Sequence, residues 1–301
     1  MKDTSKHLSS KMLFVLVFVI PTFILYTIFT IVLIINSIRV SFYDWSGLTA
    51  TMNFIGIKNY VDILKDPIFH KAIRNDFIIV LGKEIMIIGL SLFFALALTR
   101  FKFGKSETAF YRFVFYFPNI LSVIVISNLW MFIYHPNIGI LNSALESLGL
   151  ENLARIWLAE DGTILPSLIV VASWAGVGLF MLIFIAAINS ISEELYESAE
   201  LDGANQWHQL ISVTIPMIWQ QIKFSVITIF FTTLANNFVL ILPMTNGGPD
   251  NASQVMSLYI YKAGIGGSKV SYSYASAVIL LIITVIISLI ANKLLYKEVD
   301  N

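Results

Sequence analysis

Residues 165–190 read LPSLIVVASWAGVGLFMLIFIAAINS and contain no Asp, Glu, Lys or Arg. A bilayer core about 30 Å thick is crossed by roughly 20 mostly apolar residues in a helix. This stretch is long enough and apolar enough to make that crossing. It is therefore predicted to be a transmembrane helix, and that prediction decides the fold class of the chain.

Five further stretches have the same length and character. The whole chain is 57% hydrophobic and 13% charged, whereas soluble domains are roughly 45–50% apolar and about 25% charged. Such a chain has too few polar residues to cover a water-facing surface. The sequence therefore predicts an all-α membrane protein with six transmembrane helices. Besides residues 165–190, the predicted spans are Met12–Val40, Phe77–Thr99, Ala109–Tyr134, Ile222–Leu242 and Ala275–Leu295.

Two of the predicted spans need comment, one because of the charges before it and the other because of the charges within it. Met12–Val40 follows three lysines, as in a signal peptide, but it exceeds the roughly 7–15 residues of a signal core and lacks a small-residue cleavage site, so we expect it to be retained. Lys83 and Glu84 interrupt the second span. We interpret them as long side chains that reach the headgroups. A buried functional pair is the alternative, although adjacent residues do not face each other on a helix.

Positive charge indicates which side of the membrane each loop occupies. By the positive-inside rule, basic connections are cytosolic, and an even number of spans places both termini on that side. The loops at residues 41–76, 135–164 and 243–274 are then external, although the first of them also carries Lys58, Lys65, Lys71 and Arg74. The basic residues after the second span and at the end of the chain are Arg100, Lys102, Lys105, Arg112, Lys293 and Lys297.

Several function classes are disfavoured by composition. The formal net charge is zero, so no basic field favours nucleic acid. There are no cysteines, which excludes disulfides and thiolate metal sites. The four histidines do not form a cluster with metal-ligand spacing. The sequence therefore predicts no nucleic-acid partner and no metal site.

The connection between the fourth and fifth spans, residues 191–221, is long and polar. Ser192 is a suitable N-cap for a first helix, and two glutamates follow it at the positive helix end. Gly203 can adopt a positive φ and end this helix, and a second helix is expected directly afterwards. Pro216 is expected to bend the chain where it re-enters the membrane, because proline removes a backbone donor.

We call the two helices predicted in residues 191–221, which meet at Gly203, the elbow. Its composition favours a bound protein partner. It contains five acidic side chains and no Lys or Arg, which is the opposite of a loop that sets orientation. Ser198 and Ala199 are small and would let another backbone come close. A solvated acidic helix between two spans is the alternative reading.

The same residues resemble the EAA motif of ATP-binding-cassette importer permeases. That pattern is Glu-Ala-Ala, three residues, Gly, nine residues, Ile, one residue, Leu-Pro. Here residues 197–203 read ESAELDG and residues 213–216 read VTIP, so Ser198, Val213 and Ile215 depart from it by swaps of similar size. Four further blocks resemble the carbohydrate branch, in particular the first permease of the maltose and glycerol-3-phosphate type. These are YFPN at 116–119, PNIGILN at 136–142, NNFVL at 236–240 and TNGGP at 245–249.

The resemblance implies a type I ABC importer permease fold and a subunit that is not an enzyme. It implies a bacterial cell-membrane protein that works with a second homologous permease, a cytosolic ATPase dimer and an extracellular solute-binding protein. No GxxxxGK[ST] sequence is present, so ATP and magnesium are expected on the ATPase, and this chain is expected to bind no cofactor. The residues implied in coupling to the ATPase are Glu197, Ser198, Ala199, Asp202, Gly203 and Pro216.

The resemblance also places a substrate path between the third, fourth and fifth spans. Sugars need hydrogen-bond partners and aromatic faces, and polar groups within a membrane are costly unless they are used. Asn, Ser and Gly also serve to pack helices together, so each candidate has a structural alternative. The candidates are Asn119, Ser122, Asn128, Ser173, Trp174, Gly176, Leu179, Phe230, Thr233, Asn236 and Asn237.

Two other functions compete with this reading. A secondary transporter or channel would need ionisable groups at mid-membrane, and the middles of the spans are almost free of charge. A membrane scaffold would fit the acidic elbow but not the paired Asn236 and Asn237. The expected organisation is a first span and external loop over residues 1–72, a permease core over 73–296, and a cytosolic tail over 297–301.

Overall fold

The protein is described by a computed structural model that covers residues 12–100 and 103–294. The tail predicted over residues 297–301, and the basic residues Lys2, Lys6, Lys11, Lys102 and Lys297, lie outside the described residues. The helices are α1 (Met12–Val40), α2 (Lys58–Lys65), α3 (Pro67–Arg100), α4 (Lys105–Ile120), α5 (Val123–Ile133), α6 (Ile140–Ser147), α7 (Ile164–Asn189), α8 (Glu193–Leu201), α9 (Gln206–Gln209), α10 (Ile215–Met217), α11 (Trp219–Met244), α12 (Met256–Tyr261) and α13 (Val270–Leu294).

Shorter elements complete the chain. A 3-10 turn covers Glu151–Leu153, and two-residue strands form at β1 (Tyr43–Asp44) and β2 (Asn53–Phe54). The strands are antiparallel, with Tyr43 opposite Phe54. Wider, π-helical turns cover Val15–Val19, Thr27–Val32, Leu210–Thr214 and Lys262–Gly266.

Five helices of the described residues, α1, α3, α7, α11 and α13, are each long and apolar enough to cross a bilayer. The bent pair of α4 and α5 makes up the sixth predicted crossing if the two helices form one span. The all-α class is therefore confirmed. By Cα proximity the described residues form two compact units, 12–65 with 260–282, and 66–259 with 283–294. The domain boundaries predicted at residues 72 and 296 stay predictions.

The third span is not the single continuous helix that was predicted over Ala109–Tyr134. It bends by 100° between α4 and α5. Pro118 lies in the last turn of α4 and has no backbone N–H to continue the helix. Leu121 and Ser122 are extended, and the Ser122 hydroxyl accepts a hydrogen bond from the Val125 N–H (3.4 Å), so that it caps α5.

The second span is longer than predicted. Helix α3 begins at Pro67 rather than Phe77, because Phe69 and Ala72 bury an apolar face in the polar segment before the span. Lys83 and Glu84 consequently lie near the midpoint of this 34-residue helix. The interpretation that their side chains reach the headgroups stays a prediction.

The unit formed by residues 66–259 and 283–294 is built around α7. This helix packs against α3, α4, α5 and α11, and small residues let it approach its neighbours closely. The hydroxyl of Ser91 on α3 donates to the Val177 carbonyl (2.8 Å). One residue further, Gly178 lies on the backbone of α4, where an added Cβ would come within 2.1 Å of the Phe115 carbonyl oxygen.

In the unit formed by residues 12–65 and 260–282, the Asn59 side-chain amide and one backbone hydrogen bond hold the loop after α1. The Asn59 amide donates to the carbonyl oxygens of Ser41 (2.8 Å) and Tyr43 (2.9 Å). The Ser271 N–H donates to the Trp45 carbonyl (3.2 Å). These bonds hold the short β1–β2 ladder.

A methyl group at the α4–α7 contact should destabilise the protein. Gly178→Ala would press a Cβ into backbone atoms that cannot rotate away, and we expect it to lower the free energy of unfolding by about 3 kcal/mol. Thermal unfolding in nanodiscs measures the change. Gly89→Ala is the matched control, because nothing lies within 4 Å of a Cβ at that position of α3. Equal stability of the two variants would contradict the close contact.

Candidate functional site

Helix α8 begins where its sequence signals predict. Ser192 is extended (φ −61°, ψ 136°) and occupies the N-cap position, although its side chain makes no capping bond. Glu193 and Glu194 lie in the first turn, where the helix dipole favours negative charge. Four of the five acidic residues of the connection thus lie on α8, and the fifth, Asp202, is its C-cap.

The elbow turns at Gly203, as predicted. Its φ is +80°, and nothing lies within 4 Å of a Cβ built there, so the backbone conformation, not crowding, requires glycine. The Gly203 N–H donates to the Glu200 carbonyl (2.9 Å) and the Ala204 N–H to the Ala199 carbonyl (2.9 Å). This pair of bonds is the Schellman arrangement, which satisfies the last carbonyls of α8.

A second helix follows immediately. The Asn205 side chain accepts from the His208 N–H (2.8 Å) and caps α9. The predicted bend lies two residues beyond Pro216. Pro216 itself lies in continuous helical backbone, directly after the π-helical turn Leu210–Thr214. The chain breaks at Ile218, whose φ of −96° and ψ of 12° leave the helical region.

Three of the predicted coupling residues line one recess in the elbow. Ala199, Asp202 and Gly203 form part of a depression of about 420 Å³ that His208 and Ser212 complete from the following segment. Glu197 and Ser198 are exposed on α8 beside it, and Pro216 does not line it. Leu201, at the end of α8, is 89% exposed.

The elbow is fixed to the end of α3. The Tyr196 hydroxyl shares a hydrogen bond with the Thr214 hydroxyl (3.0 Å). The guanidinium of Arg100, the last residue of α3, stacks 3.8 Å from the centre of the Tyr196 ring. Tyr196 thus brings α8 into direct contact with the last residue of a membrane-spanning helix.

The candidate path residues of α4 and α5 are exposed but use part of their hydrogen-bonding capacity locally. The Asn119 amide donates to the Ala175 carbonyl of α7 (3.3 Å). Ser122 caps α5, and the Asn128 amide donates to the Ile124 carbonyl of its own helix (3.0 Å). Within residues 12–100 and 103–294, the amide oxygens of Asn119 and Asn128 accept no hydrogen bond.

The candidates on α7 separate by burial. Trp174 and Leu179 are partly exposed, and Trp174 meets Trp130 edge to face at 5.6 Å. Gly176 faces Ile87, whose Cδ1 would lie 2.9 Å from an added Cβ. Ser173 is fully buried, and its hydroxyl lacks a hydrogen-bond partner among the residues that the structure describes.

The candidates on α11 separate in the same way. Asn236 is exposed, whereas Asn237 is only 5% exposed and its amide donates to Asp76 Oδ1 (3.3 Å). Phe230 and Thr233 are buried, and the Thr233 hydroxyl is unpaired within the described part of the chain. The structure therefore exposes Asn236 and buries its neighbour.

Comparison with known proteins identifies the architecture. Residues 87–301 match the family model described as binding-protein-dependent transport system inner membrane component. The chain belongs to that family. It is a permease subunit rather than an enzyme. The chain is 33% identical to the probable ABC transporter permease protein YurN of Bacillus subtilis, with 92% of this chain and 94% of YurN covered.

Two further similarities support this assignment. The permease is 32% identical to the diacetylchitobiose uptake system permease protein NgcF of Streptomyces coelicolor, over 81% of this chain and 71% of NgcF. Its fold matches a crystal structure of a bacterial ABC transporter involved in the import of the acidic polysaccharide alginate, with a TM-score of 0.83, 22% identity and full coverage of both chains. At this identity the match shows the type I permease fold alone.

Asp76 is a central residue that sequence reasoning did not single out. Its carboxylate accepts from the Met256 N–H (2.8 Å) as well as from Asn237, and it is almost fully buried. The neighbouring Asn75 amide donates to the carbonyls of Ala252 (3.0 Å) and Gln254 (2.9 Å). Together they hold the turn that leads from α11 to α12. A lone carboxylate directly before an apolar span was the available signal.

Removing the Asp76 carboxylate should loosen this turn. Asp76→Ala leaves the Met256 N–H and the Asn237 amide buried without acceptors, and we expect a loss of about 3 kcal/mol in stability. Thermal unfolding and limited proteolysis near residue 252 measure the effect. Asp62→Ala, on the exposed side of α2, is the control and should leave the unfolding temperature nearly unchanged. Unchanged unfolding of Asp76→Ala would contradict the assigned bonds.

Proposed function

We propose that the permease imports a carbohydrate, most simply an oligosaccharide, that an extracellular solute-binding protein delivers. The family description specifies dependence on a binding protein. The Streptomyces relative is named for uptake of diacetylchitobiose, an amino-sugar disaccharide. Exposed amides at Asn119, Asn128 and Asn236, together with the Trp174 ring, supply the hydrogen bonds and aromatic face that a sugar requires.

The observation that carries the proposal is the recess at Gly203. The helix α8 ends in a satisfied turn beside an open depression, and this supports a docked protein over a plain link between two spans. In the proposed complex this recess seats a cytosolic ATPase, which binds ATP and magnesium. Glu197 and Ser198 lie at its edge as further contacts, and Pro216 starts the segment that returns to the membrane.

The proposed orientation follows from this seat. The elbow, both termini and the connection after α3 face the cytosol of a bacterial cell membrane, and the loop that begins at residue 245 faces outward. A second homologous permease completes the translocation path. Closure of the ATPase pair would move both elbows and shift the spans between inward-open and outward-open states, because the elbow is fixed to α3 through Tyr196 and Arg100.

Blocking the recess should uncouple transport. Gly203→Asp inserts a charged side chain at the recess while the protein still inserts in the membrane, and we expect uptake in vesicles to be abolished. Aspartate tolerates positive φ better than most residues, so the fold should survive. Gly149→Asp is the matched control, because Gly149 also has a positive φ (72°) and nothing within 4 Å of a Cβ. ATP-coupled uptake by Gly203→Asp would exclude the docking role.

The energy source separates this function from a secondary transporter or channel. We expect sugar accumulation in proteoliposomes that hold the full complex to require internal ATP and to stop with vanadate. It should persist when an ionophore collapses the ion gradients, since the described spans contain no network of paired ionisable groups. Accumulation that follows the ion gradient instead would exclude an ATP-driven importer.

The two neighbouring asparagines of α11 should respond differently to the same substitution. Asn236→Leu removes an exposed amide, so it should weaken sugar transport and leave thermal stability unchanged. Asn237→Leu removes the donor to Asp76 and should lower stability by about 2 kcal/mol. Uptake kinetics and unfolding temperatures of the two variants give the comparison. Wild-type transport in Asn236→Leu would remove this residue from the proposed path.

A further inference from the structure

A second concavity flanks the elbow on the side of α3. It has a volume of about 610 Å³, within the range of ligand sites, and shares no lining residue with the recess at Gly203. We call it the α3 groove. One wall is formed by the last two turns of α3 and the other by the elbow. The residues that matter here are Phe93, Leu96, Ala97 and Arg100 on α3, and Glu200 and Trp207 on the elbow.

The α3 groove changes from apolar to charged along its length. Phe93 lies about 10 Å before Arg100 along the helix axis, toward the middle of the span. Phe93 is 64% exposed and Trp207 is 68% exposed, so two large aromatic side chains at the groove lack cover. Tryptophan is enriched at the level of lipid headgroups. An occupant must therefore be apolar along α3 and polar at the end of the helix.

The charged end presents an oriented cation. Stacking of Arg100 on Tyr196 uses the face of the guanidinium and leaves its in-plane N–H groups available. No carboxylate lies within ion-pairing distance of Arg100 among residues 12–100 and 103–294. Such a planar group is suited to bidentate binding of a phosphate.

The same groove also presents an anion. Glu200 lines it from the exposed face of α8, yet it forms no ion pair with Arg100 although both border one cavity. Two opposite charges held apart in this way complement a ligand that carries both signs. An anionic lipid would satisfy Arg100 but would meet repulsion at Glu200.

We propose that the α3 groove binds a phospholipid with an ethanolamine headgroup. Its phosphate binds the Arg100 guanidinium, its ammonium group binds the Glu200 carboxylate, and one acyl chain lies along Phe93 and Leu96. Trp207 covers the glycerol region. A lipid in this position contacts both α3 and the elbow, so its binding stabilises one arrangement of the two.

Native mass spectrometry of the detergent-purified full chain tests this site. Phosphatidylethanolamine should bind more tightly than phosphatidylglycerol. Arg100→Gln should weaken both lipids about tenfold, because each loses a charge-assisted contact to its phosphate. Glu200→Gln should weaken binding of phosphatidylethanolamine, relieve the repulsion of phosphatidylglycerol, and so remove the preference. Glu194→Gln on the same helix and Lys105→Gln near the same end of α3 line no part of the groove and should change neither affinity.

Several outcomes would overturn the proposal. Equal affinity of the wild-type chain for the two lipids would exclude the role of Glu200, and unchanged binding in Arg100→Gln would exclude the phosphate site. If Arg100→Gln fails to fold, the lipid preference of Glu200→Gln still tests the proposal. The Glu200 side chain makes no hydrogen bond or ion pair within the described residues, so this variant should fold. Quenching experiments in which an ATPase subunit, but no lipid, shields Trp207 would assign the groove to a protein interface instead.

Discussion

Backbone contact between α4 and α7 at Gly178 is the constraint on which the larger unit depends. In a bilayer the lipid tails are as apolar as the side chains, so helices associate through close packing and hydrogen bonds rather than through exclusion of water. Gly178 permits that packing on one side of α7. On the other side, the Ser91 bond to Val177 joins α3 one residue earlier. Helix α3 in turn holds the elbow at Arg100 and the α11–α12 turn at Asp76.

The number of membrane crossings could be predicted from the sequence because the length of an apolar run is a local property. The bend in the third span could not, since apolar residues continue through Leu121 and the length criterion counts one helix. Pro118 was visible, but a proline alone does not distinguish a kink from a break. The early start of α3 was also missed, because residues 67–76 are polar and continue the helix by packing Phe69 and Ala72.

The two helices of the elbow could be predicted from the sequence because their signals are also local. An N-cap serine, first-turn acids and a glycine that ends the helix are signals between near neighbours, and the structure has each of these features at its predicted residue. The path residues were less readable because their partners are distant in sequence. Asn237 bonds to Asp76 across 161 residues, so the sequence could not show which of two adjacent asparagines is exposed. Whether the exposed ones contact sugar stays a prediction.

The length of α3 has a mechanical consequence. Between Asp76 and Arg100 the helix is one uninterrupted rod of roughly 36 Å. One end is attached to the elbow through Tyr196, and the other to the turn after α11 through the Asp76 carboxylate. A tilt of about 5° at the elbow end would displace the far end by about 3 Å, which exceeds the tolerance of a hydrogen bond. A small rotation of α3 at the elbow would thus displace the Asp76 end of the same helix at the opposite surface of the membrane. No chain of intervening side chains is needed to carry this movement.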